Sequence, residues 1–154
     1  MTGVAPALVY RVLDAYLGGE PRDWSGEDLP AWLDSRKAFE ARQDSATAVR
    51  IPGTAPSLPL GRYEGTYGGP MYGDATVTLE EGGLVLRLLP NPDLVAELEH
   101  LQLDTFAVRW RRPLAWFGAG TAHFTLNARG EVSEMTLDIP NDDLWFYELE
   151  LRRR

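Results

Sequence analysis

The sequence contains no cysteine. That one absence excludes a disulfide framework, a thiolate zinc site and a cysteine nucleophile. Lysine is nearly missing too: Lys37 stands alone, and every other member of the 15 basic residues is arginine. Histidine is limited to His100 and His123. No window of the chain approaches the apolar length of a membrane span. The N-terminus, Met1-Thr2-Gly3-Val4-Ala5-Pro6, lacks the charged start and long apolar core of a secretory leader.

What is present is ordinary for a globular domain. The chain has 154 residues, 44% apolar and 25% charged, enough to bury a core without staples. The net charge is −8, which sets a repulsive field against nucleic acid. The one basic run, Arg152-Arg153-Arg154, reads as a solvated tail.

Two helices are expected first. Leu8, Val9, Val12, Leu13, Tyr16 and Leu17 have the spacing of one helical stripe over residues 7–17, closed by Gly18-Gly19. A second helix is expected over 25–46. Ser25 and Asp28 are spaced as a capping box, Pro30 sits in the first turn, and Leu29, Trp32, Leu33 and Phe39 form the buried face. This N-terminal helical segment covers residues 1–49. Residues 50–61 hold three prolines and two glycines and read as a linker.

From residue 62 to 154 the pattern is of short alternating runs separated by turns. Strands are expected near 62–67, 73–80, 84–89, 94–100, 104–111, 120–126, 131–139 and 143–151. Alternation assigns faces. Leu94, Ala96, Leu98 and His100 share one, as do Phe106, Val108 and Trp110, then Phe124 and Leu126, then Met135, Leu137 and Ile139. Trp145, Tyr147, Leu149 and Leu151 are expected to face one way in the last strand. Eight strands joined neighbour to neighbour imply an antiparallel β-barrel whose interior side chains can just fill. The expected fold is therefore mainly β, an eight-stranded antiparallel lipocalin-like barrel preceded by two short α-helices.

Four stretches carry a resemblance, in order along the chain. They are Leu58-Pro59-Leu60-Gly61-Arg62-Tyr63-Glu64-Gly65-Thr66-Tyr67, then Tyr72-Gly73-Asp74-Ala75-Thr76-Val77, then Leu98-Glu99-His100 with Asp104-Thr105-Phe106, then Asn127-Ala128-Arg129-Gly130 with Val132 to Leu137. Together they resemble the domain of unknown function that follows the catalytic domain in β-lactamase-related and penicillin-binding-protein-like serine hydrolases. Leu101 stands where such domains often have an aromatic residue. The resemblance implies an accessory domain that packs on a serine hydrolase catalytic domain, in cis or in trans, or shapes access to it. The segment Leu8 to Asp28 resembles the end of such a catalytic domain. The chain would be cytoplasmic as it stands, and periplasmic or extracellular if cut from a secreted hydrolase.

Catalytic chemistry is tested directly on the residues. A Ser-x-x-Lys motif needs a serine three before its lysine, and the residue three before Lys37 is Asp34. A Ser-His-Asp triad would need His100 or His123, and no nucleophile elbow surrounds any serine. Metal spacing is absent: His100 and His123 are expected on opposite sheet faces, with no cofactor implied. His100 reads as a core histidine hydrogen-bonded to Asp104 or a tyrosine, and Asp104-Thr105 as the organiser of its own turn.

Two binding surfaces suggest themselves. Tyr63, Tyr67, Tyr72, His100 and Phe106, with Met71, would line a barrel mouth for a small apolar ligand, the alternative to an accessory role. Trp116 and Phe117 lie in a long loop and are the expected partner contact. A homodimer through the apolar helical stripe is a third expectation.

Overall fold

In the computed structural model the order of elements is α1 (Val4–Leu17), α2 (Trp24–Ala48), a 3-10 turn at Leu60–Arg62, β1 (Gly65–Gly69), β2 (Gly73–Glu80), β3 (Gly83–Leu88), β4 (Val95–Gln102), β5 (Thr105–Trp110), β6 (Gly120–Leu126), β7 (Val132–Asp138), a 3-10 turn at Phe146–Glu148, and β8 (Leu151–Arg153). The structure describes residues 4–48, 50–112, 117–141 and 143–154, with the backbone alone at 43, 44, 46 and 47. The chain divides into two units, Met1–Arg42 and Gln43–Arg154. The stretch expected as a linker therefore lies within the second unit.

In the first unit, Gly18 takes φ 68°, the left-handed stop that glycine adopts freely, and Gly19 N donates to Asp14 O at 2.9 Å. The cap of α2 is Asp23, two residues before the expected Ser25. Its Oδ1 accepts Gly26 N at 3.0 Å and Ser25 Oγ at 2.8 Å. Those two bonds hold the Asp23 carboxyl below its ordinary range. Because the helix starts at Trp24, Pro30 falls in its second turn rather than its first. Trp24 ties the helices together. Its Nε1 donates to Asp14 Oδ2 at 2.6 Å, and its ring centroid is 4.8 Å from that of Tyr10. The expected face of α2 is only partly buried: Trp32 and Phe39 are half-buried, while Leu29 and Leu33 are exposed, as are Leu8, Val9, Val12 and Leu13 of α1.

The second unit is a closed barrel, β1-β2-β3-β4-β5-β6-β7-β8, every neighbour antiparallel. Alternation predicts β2 to β7 to within a residue or two because each of these strands buries one face. Inward residues form one core that includes Ala75, Val77, Leu84, Leu86, Ala96, Leu98, Phe106, Val108, Phe124, Met135 and Leu137. The Glu81-Gly82 turn has φ of 49° and 88°, the paired positive values of a tight hairpin.

The first and last strands differ from expectation. Leu60–Arg62 turns as a 3-10 helix, so β1 begins at Gly65 instead of residue 62. Phe146–Glu148 is likewise a 3-10 turn, and the last strand is only Leu151–Arg153. Within that turn Phe146 is buried while Trp145 and Tyr147 are exposed, the reverse of the expected faces. The C-terminal arginines are not a tail. Arg152 pairs with Gly68 of β1 and Glu134 of β7, and Arg153 pairs with Tyr67, so these residues close the barrel. Arg153 also donates to Arg62 O at 3.1 Å and Glu64 O at 2.5 Å.

A ladder of charges links β2, β3, β4 and the end of β5. Glu80 meets Arg87 at 2.7 Å and Arg111 at 3.3 Å, and Arg111 reaches Glu97 at 2.6 Å. Hydrogen bonds from Arg87, Thr78 and Arg111 pull the Glu80 carboxyl down from 4.5 to about 2. A depressed pKa stabilises the fold above the unfolded value and loses that stabilisation as pH falls through the folded value. Glu80→Gln should therefore be less stable than the parent at neutral pH, and the gap should close as pH falls from about 4.5 toward 2. Urea midpoints at several pH values check this; a gap independent of pH would contradict it.

Candidate functional site

Ahead of β1, Tyr63 lies in the barrel core and Leu58 and Leu60 pack against it. Segment 51–63 is fastened across the β4–β5 turn at three places. Ile51 N donates to Gln102 Oε1 at 2.8 Å, and Leu103 N donates to Thr54 Oγ1 at 3.3 Å. Ser57 donates to Asp104 through its N at 2.9 Å and its Oγ at 2.7 Å. Asp104 also accepts the Tyr63 hydroxyl, which in turn accepts Leu58 N at 3.2 Å. Asp104 therefore pins a distant segment as well as standing beside its own turn.

Burial followed by the Asp104 contact pushes the Tyr63 hydroxyl up to about 12. Burial does the same to Tyr67, whose hydroxyl donates to Tyr63 O at 2.5 Å. Burial alone would raise Asp104, but the bonds from Tyr63 and Ser57 outweigh it and lower the carboxyl. Asp104 thus remains an anion that accepts hydrogen bonds, and Ser57 has no histidine to activate it. His100 Nε2 lies 3.0 Å from Leu103 O rather than beside Asp104 or a tyrosine, and its ring meets Phe106 edge-on at 5.6 Å. His123 points outward to Thr105 Oγ1 at 3.0 Å. Among the described residues no cluster of metal-ligating side chains forms.

Asp104→Ala should cost about 1–3 kcal/mol, because it strands the hydroxyl of buried Tyr63, while the donors of exposed Ser57 turn to water. Amide exchange at Ser57 and Leu58 should quicken with it. Unchanged exchange there would show that the strap is held by other contacts.

The five residues expected at one mouth separate in the structure. Tyr63, Tyr67 and Phe106 are core residues at 0%, 0% and 1% exposure. With Phe124 they form an edge-to-face cluster whose centroids lie 5.0–5.9 Å apart. His100 is half-buried beside them. Tyr72 is elsewhere, at an open groove of about 380 Å³ lined by Gly69, Pro70, Met71, Tyr72 and Tyr147 to Glu150. Sequence reading missed Tyr147 as a groove residue. Leu144-Trp145-Phe146-Tyr147 is an unbroken apolar run, and such a run does not distinguish a strand from a turn that buries one ring.

Of the expected partner contact, Trp116 lies outside the described residues. Phe117 is half-buried, 5.6 Å from the Trp110 ring and edge-on to Phe146 at 5.1 Å. Trp110 Nε1 donates to Gly118 O at 3.0 Å. Phe117 thus supports the turn that carries Tyr147 into the groove.

A closed antiparallel barrel with a filled apolar interior and exposed rings outside defines a β-barrel domain with no catalytic constellation among the described residues. Residues 49–153 match the family model described as "Domain of unknown function (DUF3471)", and the chain belongs to that family, a C-terminal domain family of β-lactamase-related proteins. The fold is similar to the crystal structure of the C-terminal domain of penicillin binding protein Rv0907. Identity is 30%, covering 68% of this chain and 93% of that one, with a TM-score of 0.51. No curated protein matches the chain.

Proposed function

We propose that the chain is a non-catalytic accessory domain of a β-lactamase-like serine hydrolase, packing on the catalytic domain or shaping access to it. The observation that carries this reading is where the apolar surface lies. The interior is full of side chains, and no polar or charged residue is buried among those described. The exposed rings and Met71 lie outside, on the side of the barrel where Phe117 packs on Phe146. A barrel filled in this way offers a partner its surface rather than its lumen. Trp116 and Phe117 then act as part of, or support for, that contact side.

The test uses a serine-reactive penicillin probe. The purified chain alone is expected to take up no label and to hydrolyse no chromogenic cephalosporin. Protein retained by the chain from its source lysate is expected to be labelled, and retention should fall when Phe117 is changed to Ser. Label or turnover on the purified chain itself would overturn the non-catalytic reading. Retention of unlabelled proteins only would overturn the hydrolase partner.

A further inference from the structure

The groove between the β1–β2 turn and Phe146–Glu148 combines carboxylates with exposed apolar and aromatic side chains. Five acids of the barrel are paired: Glu80 with Arg87, Glu97 with Arg111, Glu99 with Arg109, Asp93 with Arg112 and Asp74 with Arg154. Glu148 and Glu150 line the groove and form no ion pair with any described residue. Among the described residues, no basic side chain lines the groove either. The same groove is lined by Met71, 79% exposed, Tyr147, 64% exposed, and Tyr72. Exposed methionine is an adaptable contact, and tyrosine presents a ring face that attracts a cation.

Glu150 occupies a costly backbone position. Its φ is 40°, a conformation glycine adopts freely and other residues adopt under strain. The neighbouring chain is shaped around it: a Cβ on Gly69 would stand 3.0 Å from Glu150 O. A carboxylate is thus held where a glycine would be easier.

We propose that this groove is a docking site for a polypeptide segment that presents an arginine or lysine between apolar residues. The cation lies on the tyrosine rings between Glu148 and Glu150, and its apolar neighbours cover Met71 and Pro70. Charge complementarity selects this occupant, since an acidic segment would meet two unneutralised carboxylates. The inference rests on reading the domain as a contact module and specifies the chemistry of the contact.

Selection of random displayed peptides on the full chain tests it without any hydrolase, so the two readings can fail separately. Enriched peptides should carry a basic residue flanked by apolar ones, and their binding should weaken with salt. Tyr147→Ala should weaken them about tenfold, as a central aromatic contact does. Glu150→Gly should weaken them about threefold, while thermal stability holds or rises because the strain is relieved. No enrichment, enrichment of acidic peptides, or unchanged affinity for both variants would overturn the proposal.

Discussion

A chain ending at Glu150 is expected to lose its cooperative thermal transition. The missing four residues contain β8, whose backbone bonds run to β1 on one side and β7 on the other. Without it the barrel has two open edges, and strand edges pair with other chains. Leu151, 3% exposed, goes as well. Loss of one buried leucine side chain costs about 2–5 kcal/mol, against a typical total stability of about 5–15 kcal/mol. The loss of ladder pairing adds to it. By contrast, Arg152→Ala keeps the backbone and changes only an exposed side chain, so it should shift stability by about 0.5 kcal/mol or less. Circular dichroism melting of the two variants checks the contrast. A truncated chain that melts like the parent would show that β8 is dispensable.

Phe124→Ala is the second large expectation. The ring sits 1% exposed at the centre of the barrel, against Tyr63, Tyr67 and Phe106 at once. Its loss should cost about 3–5 kcal/mol, from lost transfer energy and from a cavity the closed barrel cannot collapse around. The same variant probes function. It opens space at the position a ligand-binding barrel would use, so a small apolar molecule such as benzene should stabilise Phe124→Ala and leave the parent unchanged. Denaturant midpoints with and without benzene decide it. Equal stabilisation of both chains would mean that the parent already has room inside.

The strands from β2 to β7 were legible in the sequence because a half-buried strand must alternate, and these do. Leu84-Val85-Leu86 shows the limit of that signal: Val85 faces outward yet is wholly buried. Its register neighbours are Thr78 of β2 and Glu97 of β4, a pairing between strands that leaves no local trace in the sequence. The ends of the barrel were misread for a related reason. Tyr63 belongs to the core although it precedes β1, because a 3-10 turn and Asp104, forty-one positions away, place it there. The arginine run looks solvated from its side chains, but closure uses its backbone, which carries the same donors and acceptors for any residue except proline.

The candidate site was legible only in part. Tyr72 and Met71 were singled out beside glycines, and they do line the groove. Tyr63 and Tyr67, grouped with them by spacing, turn inward because β1 directs Tyr67 to the core and the preceding turn directs Tyr63 there. Tyr147, Glu148 and Glu150 join the groove from the other end of the chain. Only barrel closure brings them to Gly69, and the pairing of Gly68 with Arg152 that does so has no marker in either segment.

Native mass spectrometry of the chain, recovered gently from its source, tests most directly whether this domain works through its surface. The expected result is a complex with a serine hydrolase and no small-molecule adduct, with the complex weakened by Tyr147→Ala. A stoichiometric small-molecule adduct without a protein partner, unaffected by Tyr147→Ala and lost on Tyr67→Ala, would contradict it and make the barrel a ligand carrier.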